Sequence, residues 1–101
     1  MSYASQVKTF RWSEAKSAQL QRERGVGFEE IVAAIDAGHL LDVLRHRNTA
    51  RYPHQLVLVV KLRDYVYLVP FVEEPGFYFL KTIIPSRKAT RDYLKTEAAD
   101  D

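Results

Sequence analysis

Three apolar runs lie almost back to back in the second half of the chain. They are Leu56–Leu62, Tyr65–Val72 (YVYLVPFV) and Phe77–Ile84 (FYFLKTII). Only Arg63-Asp64 separates the first two, and the turn-forming Glu73-Glu74-Pro75-Gly76 separates the second and third. Parallel strands need crossovers of about a dozen residues or more, so these strands must pair antiparallel as a meander. Leu56–Leu62 and Tyr65–Val72 are apolar on both faces. Such strands are covered from both sides. Pro70 has no N–H to give to a ladder, which predicts a bulge or a locally unbonded position in the middle strand.

What precedes the meander must supply part of that cover. Thr9–Trp12 reads as a short strand. Ser13 is a fitting N-cap for a helix through about Arg24, ended by Gly25. Ala15, Ala18 and Leu20 are its expected apolar positions, and Trp12 sits where an apolar residue can staple the first turn. In the next helix Phe28, Ile31, Val32 and Ile35 recur at helical spacing, up to Gly38. Glu29 and Glu30 fall in its first turn, where the helix dipole favours carboxylates, so they read as dipole partners rather than catalytic acids. Leu40–Val43 begins a further strand, Arg45–Pro53 is a polar loop, and Pro85 ends the last strand. Ser86 can cap a final helix through about Lys95. The order predicts one α+β domain over residues 1–101: a small antiparallel sheet of about four strands, two N-terminal helices and one C-terminal helix. Residues 1–6 and 97–101 are expected to fray.

The 101 residues include no cysteine, which rules out disulfides, thiolate metal sites and a cysteine nucleophile. No apolar stretch approaches the roughly twenty residues of a membrane helix. No secretory signal is visible at MSYASQVKTFRW. These features point to a soluble cytoplasmic protein with no membrane contact. The net charge is +2, but three acids fall in the closing EAADD, and without them it becomes +5. Arg45, His46, Arg47, Arg51 and His54 form one basic stretch. Lys81, Arg87, Lys88, Arg91 and Lys95 form another. A basic body of this kind suits a polyanion.

The stretch FRWSEAKSAQLQRERGVGFEEIVAAID resembles the opening of BrnT-like toxins, with W-x-E-x-K before a short helix and G-V-x-F-E-E before a second. The closing IIPSRKATRDY resembles that family's S-A-R-[RK]-A-T…Y ending. The middle resembles a bacterial branch marked by R-Y-P-H-Q and P-S-R-K-A-T. The resemblance covers about residues 9–94. It implies a RelE-related fold and a ribonuclease toxin neutralised by a cognate antitoxin protein. The expected assembly is either a homodimer or a toxin–antitoxin hetero-oligomer. Pro85-Ser86-Arg87 departs from the Ala that precedes the C-terminal Arg in the nearest members, which bears on the strand-to-helix corner. A second reading is a non-catalytic module that binds a protein partner. No helix-turn-helix signature is present.

Metal-free RNA cleavage needs a base for the ribose 2′-OH, a cation for the phosphorane and an acid for the leaving 5′-oxygen. The catalytic set drawn from the residues is His54, Lys81 and Arg87. His54 follows Pro53 at the start of a strand and titrates near neutrality. Lys81 interrupts an apolar strand, and alternation places it on the face of Phe77, Phe79 and Ile83. A lysine facing inward there is costly unless it is paired or lines a cleft. Arg87, Lys88 and Arg91 begin the last helix, against its dipole, which a bound phosphate would compensate. The alternative is a salt bridge to Glu73, Glu74 or Asp92. Arg45, His46, Arg47, Arg51, Lys88 and Arg91 are the expected RNA contacts. His39 follows a helix end that favours a cation, so structure explains it. Tyr93 lies away from Arg87 on the helix wheel and should pack on the sheet. Neither a metal nor a cofactor is called for: the histidines lack ligand spacing with carboxylates, and no Gly-rich phosphate loop exists.

Overall fold

The computed structural model describes residues 9–45, 50–51 and 55–98, with side chains as far as Leu94. The order is β1 (Thr9–Arg11), α1 (Glu14–Arg24), α2 (Phe28–Asp36), β2 (Leu40–Arg45), β3 (Gln55–Leu62), β4 (Tyr65–Glu74), β5 (Phe77–Leu80), β6 (Ile84–Pro85) and α3 (Arg87–Ala98). This is an α+β fold with the expected two N-terminal helices and one C-terminal helix. The sheet departs from expectation. Among the described residues it has six strands rather than about four, ordered β1-β5-β4-β3-β2 with β6 also on β4. It is mixed rather than antiparallel, because β1 runs parallel to β5, from Thr9 beside Phe77 to Arg11 beside Phe79. The last helix also runs further than expected, to Ala98, so residues 97–98 are helical rather than frayed.

The meander forms as expected. β3 and β4 pair from Gln55 beside Val72 to Leu62 beside Tyr65. The turn between them puts Arg63 at φ 54° and Asp64 at φ 65°. Two consecutive left-handed residues make the turn whose twist matches the flanking strands.

Ser13 caps α1 by accepting the Lys16 N–H at 3.2 Å. Gly25, at φ 74°, closes α1 and donates its N–H to the Gln21 carbonyl. The buried positions of α1 are Ser17 and Leu20, whereas Ala15 and Ala18 face solvent. The packed stripe is therefore the one bearing Leu20, since an alanine methyl gains little from burial. Trp12 packs on Phe28 at the head of α2, with ring centroids 5.9 Å apart. The N-cap of α2 is Gly27, which has no side chain to offer. Its place is taken across the interface: Ser17 Oγ accepts the Phe28 N–H at 2.9 Å and donates to Glu29 Oε1 at 2.8 Å. Glu30 takes the Gly27 N–H at 3.0 Å and pairs with Arg63. Both glutamates thus have structural work at the helix head, as their position predicts.

Alternation along β4 divides the molecule. Tyr67, Val69 and Phe71 join Leu58, Val60, Leu20, Phe28 and Ile31 in a core beneath α1 and α2. Val66 and Leu68 turn to the other face and meet Val59, Ala89, Tyr93 and Leu94 under α3. The central strands are covered on both faces, as their composition requires. No helix among the described residues is long and apolar enough to cross a membrane.

Pro70 breaks the ladder as its missing N–H predicts. β5 pairs with β4 only as far as Leu80 beside Phe71. The Lys81 N–H then bonds the Pro70 carbonyl at 2.8 Å, and pairing resumes at Ile84 beside Leu68. The expected single strand Phe77–Ile84 is therefore two strands with residues 81–83 between them.

Candidate functional site

The interruption opposite Pro70 decides where Lys81 goes. Leu80 and Ile83, three residues apart, are both buried in the core under α1 and α2. Strict alternation cannot do that, so one extra residue is accommodated between them. The Ile83 carbonyl accepts from Arg24 Nη1 of α1. Lys81 is consequently not an inward-facing lysine and does not share a face with Ile83. It is exposed, with Nζ 5.6 Å from the centroid of the Phe79 ring. The cost of an inward-facing lysine therefore does not arise. What remains is a cation held over an aromatic ring.

Phe77 and Phe79 stand half-buried on the face of the sheet that carries α3. Their neighbour Tyr78 points to the opposite face, with its ring 5.3 Å from Phe71 and 5.6 Å from Phe10. Arg11 of β1 lies over Phe77, its guanidinium carbon 5.2 Å from the ring centroid. β5 and β1 therefore present two aromatic rings, each topped by a cation. None of Arg11, Phe77 and Phe79 stood out in the sequence as a site residue. The F-x-F alternation was visible, but the parallel pairing that brings Arg11 beside it joins opposite ends of the chain.

The head of α3 lies further along β4, at Val66. Ser86 Oγ caps the helix by accepting the Ala89 N–H at 3.0 Å. Thr90 pins the first turn to the sheet: its hydroxyl donates to the Ser86 carbonyl at 2.7 Å and accepts the Val66 N–H at 2.8 Å. Of the three basic residues here, Lys88 donates to Asp92 at 2.7 Å and Arg91 Nε lies 3.9 Å from the same carboxylate. The structural alternative thus holds for these two. The hydrogen bond from Lys88, aided by the charges of Lys88 and Arg91, holds the Asp92 carboxyl below its ordinary value. Arg87 is exposed and has no hydrogen bond or ion pair among the described residues. The Lys81 N–H sits at Pro70 and the Ser86 N–H at Val66, four residues apart on β4. That separates the backbones at the two cations by about 13 Å along the strand.

The other basic stretch is elsewhere. Arg45 ends β2 and pairs with Leu56, in the row that continues to Phe71 and Leu80 on the opposite face. Arg45 and Arg51 are exposed. His46, Arg47 and His54 lie outside the described residues. The structure therefore divides the expected residues: of the catalytic set Lys81 follows β5 and Arg87 begins α3, and of the RNA contacts Lys88 and Arg91 lie on α3 and Arg45 on the far edge strand of the sheet.

Tyr93 packs on the sheet as expected, and its hydroxyl donates to Asp42 Oδ2 at 2.9 Å. Burial, then that bond to a carboxylate, raises the Tyr93 phenol above its ordinary value. The bond carries α3 across β4 and β3 to β2. β2 itself is exposed along its length, with Leu40, Leu41, Val43 and Leu44 at 38–48%. Among the described residues, no three His, Asp or Glu side chains gather as a metal ligand set. No protein-family model matches the chain, and no curated protein matches it.

Proposed function

We propose that this protein is the toxin of a bacterial type II toxin–antitoxin pair, a metal-independent endoribonuclease of the BrnT-like kind acting in the cytoplasm. The observation that carries the reading is Arg87. It is a cation without an acidic partner among the described residues, on a capped and pinned helix head whose dipole opposes it. A phosphate bound there would answer both the charge and the helix's open N–H groups. Lys81, about 13 Å away along the strand, would hold a neighbouring phosphate. In the cleavage step a base removes the proton of the ribose 2′-OH, and that oxygen attacks phosphorus. The 5′-oxygen leaves and is protonated, giving a 2′,3′-cyclic phosphate and a 5′-hydroxyl. His54 is the base this scheme assigns, with Arg87 stabilising the phosphorane. Induction of the protein alone in a bacterium is expected to arrest growth and to yield RNA fragments with 5′-hydroxyl ends. Unchanged growth and intact RNA at high expression would refute it.

A second reading, a non-catalytic module, is favoured by β2. An edge strand with four exposed aliphatic residues is a template on which a partner's strand can pair. An antitoxin bound there is compatible with either reading. Loss of partner binding in Val43→Lys, with growth arrest retained, would assign β2 to the antitoxin and cleavage to the other face.

A further inference from the structure

At the outer edge of β1, the shelf of β1 and β5 is bordered by an open depression of about 460 Å³ lined by Phe10, Arg11, Trp12, Glu14, Phe77 and Phe79. We propose that this depression is a nucleotide subsite that takes one unpaired base of a single-stranded RNA, with the adjoining phosphate on Arg11 and Lys81. The proposal rests on the RNA-directed reading above and extends it from Lys81 to Arg11, Phe77 and Phe79, which that reading does not use.

Three features support this occupant. First, the lining is mainly aromatic, and its exposed layer carries charge: Arg11 over Phe77 and Lys81 over Phe79. A base can stack on a ring or on a guanidinium plane, and its phosphate meets the same cations. A purely apolar ligand would have to displace both charges. Second, the charges have a direction. Glu14 lies on the rim in the first turn of α1. Its carboxylate repels a phosphate and accepts hydrogen bonds from the amino edge of a base. The phosphate is therefore placed toward Arg11 and Lys81, and the base toward Glu14. Third, Trp12 lines the depression while its ring is half-buried against Phe28, so a base seated there lies beside a fixed indole. Duplex RNA offers no free base face, so the subsite selects single strands.

Trp12 is the only tryptophan of the chain, so its fluorescence reports on the depression directly. A single-stranded hexanucleotide, the same oligonucleotide with an abasic position, its duplex, and a nucleoside 5′-monophosphate are titrated at low salt. Binding is followed by Trp12 emission and, for the labelled oligonucleotides, by anisotropy. The hexanucleotide and the monophosphate should quench Trp12, and the duplex should not. Arg11→Met and Phe77→Leu should each weaken single-strand binding about five- to a hundredfold, the span that loss of one stacked base corresponds to. Arg11 is exposed, so its variant tests the proposal even if Phe77→Leu folds poorly. If the hexanucleotide binds by anisotropy without quenching, and Arg11→Met binds as tightly as wild type, the subsite is wrong and the RNA reading stands. Quenching by the monophosphate with no binding of the hexanucleotide would keep the subsite and overturn the RNA reading. No response to any ligand would overturn both.

Discussion

Ser17→Ala tests how the two N-terminal helices are joined. Ser17 is 3% exposed, and its hydroxyl does two things at once. It accepts the N–H of Phe28, the first residue of α2, and donates to the Glu29 carboxylate. The substitution removes one oxygen atom and leaves almost no cavity, so the loss is in hydrogen bonding. The buried Phe28 N–H is left unsatisfied, which costs about 1–3 kcal/mol. Glu29 is exposed, so losing its partner adds little. For a domain of this size that corresponds to a fall in Tm of roughly 5–15 °C. The pH dependence separates the two bonds. The Ser17 bond is the main reason the Glu29 carboxyl sits below its ordinary value of 4.5. A depressed carboxyl contributes stability that is complete above that ordinary value and is lost as pH falls through the folded-state value. The gap between wild type and variant should therefore narrow below pH 4.5 without closing, because the Phe28 part does not titrate. Urea unfolding followed by circular dichroism at pH 7 and under acid conditions measures both terms. A variant within about 0.5 kcal/mol of wild type at pH 7 would refute the cross-helix cap, since that is the range of an uninvolved surface change.

Gly27→Ala should act through the same hydroxyl. A Cβ there would lie 2.9 Å from Ser17 Oγ, so a loss of about 1–3 kcal/mol is expected, and Ser17→Ala should recover part of it in a double-mutant cycle. Arg87→Ala should leave Tm unchanged or raise it slightly, because about 0.3–1 kcal/mol of dipole repulsion is relieved. Its RNA affinity should fall, and the slope of log K against log salt should become shallower by about 0.7 for a single strand. A lower Tm with unchanged RNA affinity would make Arg87 structural. Tyr93→Phe loses the bond to Asp42, worth about 0.5–1.5 kcal/mol at neutral pH. The raised phenol of the wild type contributes stability that is complete below its ordinary value of 10.0 and is lost as pH rises through the folded-state value. The two proteins should therefore converge in alkaline urea titrations, and a constant gap would remove Tyr93 as the titrating group.

What was legible in the sequence was what a few neighbouring residues decide. Ser13, Gly25, Gly38 and Ser86 mark helix ends, Arg63-Asp64 marks a turn, and Pro70 marks a gap in the ladder. Each mark follows from one local hydrogen bond or one backbone angle. The misses came where a distant segment decides. β1 is only three residues long, and its parallel place beside β5 depends on Phe10 packing against Tyr78. Composition therefore indicated a smaller, wholly antiparallel sheet. Alternation predicted that Lys81 and Ile83 share a face. Pro70 predicts the gap, but not that an inserted residue carries Ile83 to the opposite core while Lys81 stays over Phe79 on the uncovered face. Ser17 gave no sign of capping another helix, because its partner is a backbone N–H eleven residues on.

The exposure of Phe77 and Phe79 follows from how α3 is anchored. The helix must start beside β6, because Ser86 bonds Val66 and Thr90 holds the first turn on the same residue. Its other anchor is Tyr93 on Asp42 of β2. Between those points α3 crosses β4 and β3 and leads away from β5 and β1. No described helix is left to cover the two phenylalanines. Full burial of a phenylalanine stabilises by about 1.5–3 kcal/mol, whereas an exposed cation–π contact returns only about 0.5–1 kcal/mol. Arg11 and Lys81 therefore recover a minor part of what burial would give. The shelf stays under-covered in the isolated chain, and the side chains over its two rings are cations, with Glu14 on the rim. A ligand that stacks on aromatic rings and carries negative charge gains from both features at once. That is the physical ground on which a single-stranded polynucleotide, rather than an apolar molecule or a simple anion, is the proposed occupant.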